Sequence, residues 1–316
     1  MKKAFEKLNL RDYGVLLGFL ALCIAISIAT PSFLGKQNIL NLLRQSSIIG
    51  IISAGMTFVI ISGNFDISVG AVAALAGAIT MKFATGGTNL FASMLLGVAI
   101  CAVIGLINGI VVAKINVPSL IATMAMVTIV RGLLLMLTGG YPITENIPIL
   151  DYIGNGYLFN IPIPVVIFFI VVLASFIVLN KTKFGRYVYS VGGNQEASKL
   201  NGINVDSHKV KVFIINAVLA GIAGIVLTGR LGTATAIAGE GYDMDAIASV
   251  VIGGTSVAGG SGSVLKTVIG VLLMSVINNS FNLLGIDVYF QYIFKGLIIL
   301  AAVGFDSYSK KKLASR

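Results

Sequence analysis

NKTKFGRYVYSVGGNQEASKLNGINVDSHKVK, residues 180–211, is the longest polar stretch in a chain that is otherwise mostly apolar. Six basic residues sit in it: Lys181, Lys183, Arg186, Lys199, Lys209 and Lys211. Outward from this stretch, both flanks consist of oily runs separated by short joints. The chain has 316 residues, of which 57% are hydrophobic and 11% charged, and its mean hydropathy is +0.98. A soluble domain carries roughly 25% charged residues, so this composition belongs in a bilayer. A hydrocarbon core about 30 Å thick takes about 20 apolar residues per helix. Ten-residue alternating units, the mark of an outer-membrane barrel, do not recur. The expected fold is an all-α polytopic membrane protein forming one transmembrane domain over residues 1–316.

About ten spans are expected, at 15–29, 46–62, 67–84, 89–113, 119–138, 161–179, 212–231, 246–257, 264–284 and 288–305. In residues 31–45, Ile39, Leu40 and Leu43 with Arg44 fit a short amphipathic piece lying along the outer surface. The basic start resembles a secretory signal, but Thr30-Pro31-Ser32 offers no small-x-small cleavage site, so the first run is expected to stay as a helix. An even span number puts both termini on one side. Sixteen of the 22 Lys and Arg then fall on that side, from Lys2, Lys3, Lys7 and Arg11 to Lys310, Lys311, Lys312 and Arg316. The opposite joints hold Glu145, Asp151, Glu240, Asp243, Asp245 and Asp287. The positive-inside rule therefore places the termini and residues 180–211 in the cytosol.

Six spans precede the polar stretch and four follow it. With the first and sixth set aside, spans two to five and seven to ten enter the membrane from opposite sides, which is the geometry of an inverted repeat. Each block carries a Gly- and Ser-rich break (62–70 and 253–263) and an Ile-Asn pair, Ile107-Asn108 and Ile277-Asn278.

Several chemistries are excluded by what the chain lacks. Its formal charge of +10 lies at segment ends with no aromatic-interleaved basic face, which argues against a nucleic-acid partner. Cys23 and Cys101 lie in apolar runs without metal or redox spacing and are read as packing residues. His208 is the sole histidine, so a metal site or a catalytic triad has no basis; it is expected to be solvated. The glycine-rich run from Gly253 to Ser263 precedes Lys266, but a phosphate loop needs Gly immediately before its Lys, and Leu265 stands there. A tight turn or a helix break beside a path is expected instead. Gly105 to Gly109 and Ala220 to Gly224 are small-xxx-small packing motifs. Asp66 is expected to cap a helix beginning at Ile67, and Arg131 and Lys295 to snorkel or pair within their spans.

Gly55-Met-Thr-Phe-Val-Ile-Ile-Ser-Gly63 followed by Phe65-Asp-Ile-Ser-Val-Gly70 resembles the signature of ABC-importer permeases of the ribose and monosaccharide type. Val117-Pro-Ser-Leu-Ile-Ala-Thr123, Arg131-Gly132, Thr138-Gly-Gly-Tyr-Pro-Ile143, Phe184-Gly-Arg-Tyr-Val-Tyr189, Gly192-Gly-Asn194, Gly239-Glu-Gly-Tyr242 and Val251-Ile-Gly-Gly-Thr-Ser256 extend the resemblance over nearly the whole chain. Phe65 and Ile67 stand where the family often has Ile and Leu, and Glu196-Ala197-Ser198 where a second Ala is usual.

The resemblance implies a type II ABC importer-like permease in the bacterial cytoplasmic membrane. Its implied partners are a second copy or close paralogue, cytosolic ATPase subunits that bind ATP and Mg, and an extracytoplasmic sugar-binding protein. No cofactor or metal is expected in this chain. The resemblance also implies that residues 194–203 form the coupling helix, with Asn194, Glu196, Ala197, Leu200, Gly202 and Ile203 at the ATPase. Their own pattern agrees: a short helix with an apolar side and Asn194 as its N-cap. A neutral sugar needs hydrogen bonds and no countercharge, so Asn64, Asp66, Ser68, Asn108, Asn278 and Asn279 are the residues expected along the path. Other solutes in view are a nucleoside, the autoinducer-2 furanone and a branched-chain amino acid. The rival from another class is an ion-coupled secondary carrier, for which Asp66 is the one candidate carboxylate.

Overall fold

The computed structural model describes the backbone of residues 10–314 and the side chains of 14–304; the charges at Lys2, Lys3, Lys7 and Arg316 lie outside the described residues. Thirteen α-helices are present among the described residues: α1 Leu10–Ala29, α2 Lys36–Ile61, α3 Val69–Thr85, α4 Leu90–Ala113, α5 Ser119–Thr138, α6 Pro148–Asn155 and α7 Ile163–Lys181, then α8 Lys183–Gly193, α9 Gln195–Leu200, α10 Val205–Leu231, α11 Tyr242–Ile252, α12 Val264–Leu283 and α13 Val288–Ala314. Two-residue strands β1 Ile143–Thr144 and β4 Thr233–Ala234 pair antiparallel, as do β2 Tyr157–Leu158 and β3 Ile161–Pro162. Six helices (α2, α4, α5, α7, α10 and α12) are long and apolar enough to cross a membrane, and Gly14–Ala29, α3 and Val288–Gly304 are shorter apolar helices.

The centre is built from α2, α3 and α10. In α2 every residue from Ser46 to Ile61 is buried. Small residues let the backbones close in: α10 packs against α4 through Gly105 and Gly109, where a Cβ would lie 2.6 Å from Phe213 O and 2.7 Å from Val210 Cα. Cys101 is buried in the same seam beside Gly221. The outer helices are apolar yet open, with Phe91 and Leu95 on α4, Met124 and Met136 on α5, and Phe169 and Ile170 on α7 all exposed. Apolar surface on this scale has no place in water; it suits a hydrocarbon solvent.

The packing pairs recur. Helix α10 lies against α3 and α4, and α2 lies against α11 and α12; α3 packs on α4 and α5, and α11 on α12 and α13.

Four expectations are corrected. Residues 31–45 do not form a surface piece. After a 3-10 turn over Pro31–Leu34 they are the first turns of α2, and Arg44 is buried, donating to Asn155 O at 3.1 Å and lying 4.9 Å from the Tyr157 ring centre. The polar joint 139–160 contains α6, which seats Gly154 against the Gly229–Arg230 backbone of α10. The span expected at 246–257 is the 11-residue helix α11, only about 16 Å long at 1.5 Å per residue, because residues 253–263 turn away through left-handed Gly254, Gly259 and Gly260. His208 is half-buried, stacked on Phe184 at 5.7 Å and edge-on to Tyr187 at 5.0 Å.

Candidate functional site

Helix α2 ends in a break. Ser62 Oγ donates to Val59 O, Gly63 takes φ +78°, and the chain runs on to α3, which starts at Val69 and not at Ile67. Backbone amides freed by such a break must find partners away from water. Phe65 N donates to Ser119 Oγ at 3.1 Å and Ile67 N to Thr123 Oγ1 at 3.2 Å, so two hydroxyls of α5 satisfy them.

Asp66 sits inside this break. Its Oδ1 accepts from Ser68 N at 2.9 Å and Ser68 Oγ at 2.5 Å, and its Oδ2 from Asn216 Nδ2 at 2.9 Å. Asn108 Nδ2 donates to Ser68 Oγ at 3.1 Å. Three residues expected on a path, Asp66, Ser68 and Asn108, therefore meet in one closed cluster, each at most 1% exposed. Asn64 folds back on Ser62. Asn216, which completes the cluster, was not expected; a lone Asn in the apolar face of α10 was the available signal.

Asn278 and Asn279 diverge. Asn278 Nδ2 lies 3.5 Å from Asp245 Oδ2, and Lys295 Nζ lies 3.0 and 3.1 Å from the two Asp245 oxygens, so α11, α12 and α13 meet at a partly buried ion pair. Lys295 thus pairs within the bundle. Asn279 instead exchanges amide hydrogen bonds with Asn38 of α2 at 2.8 and 3.0 Å, which ties α12 to α2.

An open cleft of about 710 Å³ lies between the start of α3, helix α5, residues 236–244 and Tyr292 of α13. Its floor is a backbone crossing. A Cβ on Gly239 would lie 2.7 Å from Gly70 O, and one on Gly70 would collide with Gly239 O, so neither position has room for a side chain. Arg131 Nη1 donates to the carbonyls of Ala236 and Ala238 and holds that segment against α5. Glu240 and Asp243 join Arg131 on the wall. One cation, two carboxylates, Thr128 and Tyr292 stand in a lining that is otherwise apolar, with Ile67, Ala71, Met124, Val127, Leu135 and Met244. Removing the tether should loosen the wall: Arg131→Met is expected to speed amide exchange at residues 235–241 while leaving α2 and α10 protected, and unchanged exchange there would refute the tether.

A second surface is built by α8 and α9. Asn194 ends α8 and caps α9, its Oδ1 accepting from Ala197 N at 2.9 Å. Ser198 is buried on α8, with its Oγ 2.9 Å from Ser190 Oγ. Lys209 Nζ donates to Gln195 Oε1 at 2.9 Å and ties α9 to α10. The free side of α9 carries Glu196, Ala197 and Leu200, and Leu200 is 89% exposed. Gly202 turns the chain with φ +78° and Ile203 is half-buried behind it.

A family model described as "Branched-chain amino acid transport system / permease component" matches residues 38–303. The ribose import permease protein RbsC of Haemophilus influenzae is 44% identical over 93% of this chain and 94% of its own, and RbsC of Bacillus subtilis is 43% identical over 94% and 93%. The xylose transport system permease protein XylH of Haemophilus influenzae is 34% identical over 98% and 99%. No solved structure matches the chain.

Proposed function

The chain belongs to the permease family described as branched-chain amino acid transport system / permease component, and from that membership we propose that it is the membrane subunit of a bacterial ATP-binding-cassette importer for ribose. The observation that carries ribose is the end-to-end similarity to ribose import permeases, which exceeds that to the xylose relative. ATP and Mg belong to partner ATPase subunits, and a second copy of the permease and an external binding protein complete the importer. The termini and the α8–α9 surface face the cytosol, with the short helix α11 counted as the eighth of ten spans.

The recurring helix pairs support an inverted repeat of α2–α5 and α10–α13. Two such halves rocking about the Gly70–Gly239 crossing open the cleft to one side and then the other, which is alternating access. The cleft carries the sugar by hydrogen bonds, and α6 with the paired strands β1 and β4 receives the binding protein. Helix α9 is the coupling segment. Its exposed Leu200, beside exposed Ala197 on the free side of the helix, supports this as an apolar contact for another protein.

The test is uptake by vesicles holding this chain with its ATPase and binding protein. ATP-dependent accumulation of ribose in preference to xylose or leucine is expected, and accumulation by the chain alone on an ion gradient would make it a secondary carrier. Gly202→Trp, which forces a bulky side chain onto a left-handed backbone beside α9, is expected to abolish uptake while membrane insertion persists. Normal ATP-driven uptake by that variant would sink the coupling assignment.

A further inference from the structure

Three backbones meet with no side chains between them where α2, α8 and the loop 253–263 come together. A Cβ on Gly192 of α8 would collide with Ile61 O, at the end of α2, and would lie 2.8 Å from Gly260 N. That same Ile61 oxygen accepts the Gly260 amide at 2.8 Å. Gly259 closes the remaining side: a Cβ there would lie 2.8 Å from Gly192 O and 2.9 Å from Gly63 N. One turn back on α8, the Tyr189 hydroxyl donates to Gly262 O at 3.0 Å. Left-handed conformations at Gly63, Gly259 and Gly260 bring the loops into this contact.

The junction stands directly behind α9. Asn194 alone separates α8 from α9, and the Ser190–Ser198 hydrogen bond ties the two helices together across it. A push on α9 therefore carries the end of α8. Backbone packed on backbone has no rotamer with which to yield, so the displacement passes on instead of being absorbed. Beyond the junction lie both helix breaks: residues 62–68 lead into α3, and the loop 253–263 joins α11 to α12. Helix α3 and α11 are also the elements whose starts line the cleft.

We infer that Gly192, braced by Tyr189, is the positioning residue that passes movement of α9 into both helix breaks at once, so that α3 and α11 shift together. The inference rests on the assignment of α9 as the ATPase-docking segment. Its chemistry is mechanical: the Gly260 amide and the Tyr189 hydroxyl lock the loop to α2 and α8, and the missing Cβ at Gly192 lets the three backbones bear on one another.

The experiment uses the complete importer in vesicles and reads solute imported per ATP hydrolysed. Tyr189→Phe removes one hydroxyl and almost no volume. It is expected to leave the ATPase bound and hydrolysing while import per ATP falls roughly two- to thirty-fold, the range in which residues on a coupling route act. Gly192→Ala is expected to fall further. Gly193→Ala, on the same helix end but with only Gly260 Cα 3.9 Å from its new methyl, is expected to match the unsubstituted protein. Should Gly192→Ala fail to assemble, Tyr189→Phe decides alone. An unaltered import ratio for Tyr189→Phe overturns the joint, as does a parallel loss of hydrolysis and import. Leu200→Asp separates this from the docking assignment, because it is expected to release the ATPase from the purified complex; a complex that survives Leu200→Asp intact overturns the docking itself.

Discussion

Lys295→Ala is expected to destabilise the protein by about 2–4 kcal/mol, somewhat below the cost of about 3–5 kcal/mol for breaking a fully buried ion pair, because the Lys295 side chain is 21% exposed. With Lys295 in place Asp245 is 4% exposed, and the ammonium is the cation that lies on both its oxygens. Asn278 Nδ2, at 3.5 Å, is too distant to replace it. The loss should be visible as a lower thermal midpoint of the purified protein in detergent, with α13 released first, because α11 is the helix α13 chiefly packs on. The charge and not the lost packing is the cause. Lys295→Met combined with Asp245→Asn should therefore recover most of the midpoint, as isosteric replacement of buried pairs often does. A stability for Lys295→Ala within about 1 kcal/mol of the parent, near the value of an exposed pair, would show that the pair is solvated in the folded protein.

Gly224→Ala is the second large effect. Helix α10 crosses α3 there, and a Cβ on Gly224 would collide with the Ala73 carbonyl and lie 2.7 Å from Ala73 Cα. Only backbone is met, so no side chain can turn aside. Gly77 makes the reciprocal contact, its Cβ position 3.1 Å from Gly224 O, which leaves neither helix a direction in which to retreat. Overpacking costs about 1–3 kcal/mol where side chains can shift, and a rigid contact belongs at or above the top of that range. Gly132→Ala is the control: nothing lies within 4 Å of its added methyl on α5. There the change should be neutral or stabilising by about 0.5–1 kcal/mol, the helical preference of Ala over Gly. Equal midpoints for the two variants would refute the close crossing.

Much of the helix pattern was legible because a bilayer reads composition locally. The span expected at 119–138 is α5 to the residue, and the spans at 89–113 and 264–284 differ from α4 and α12 by one residue. Asn194 as the cap of α9 was legible too, since a cap is a contact between residues three apart. Errors arose where polar residues were judged without their neighbours. Arg44 looked like a surface residue because Asn155 and Tyr157, which bury it, lie over a hundred positions away. His208 looked solvated because its aromatic partners come from α8.

The polar residues nominated for a path show the division most clearly. Their types and depth were visible in the chain, but Asp66, Ser68 and Asn108 close on Asn216, Asn278 turns to Asp245, and Asn279 turns to Asn38. The charged residues of the open cleft are Arg131, Glu240 and Asp243. By itself the sequence determined the solvent, the helical class and the approximate bounds of most of the spans, because hydropathy adds up along each segment without regard to the others. Only the tertiary structure decided which buried groups meet, that Gly70 and Gly239 touch, and that Gly192 joins two distant helix breaks. Those contacts depend on the angle and register at which helices cross, and a crossing is set by the packing of two surfaces that no single segment encodes.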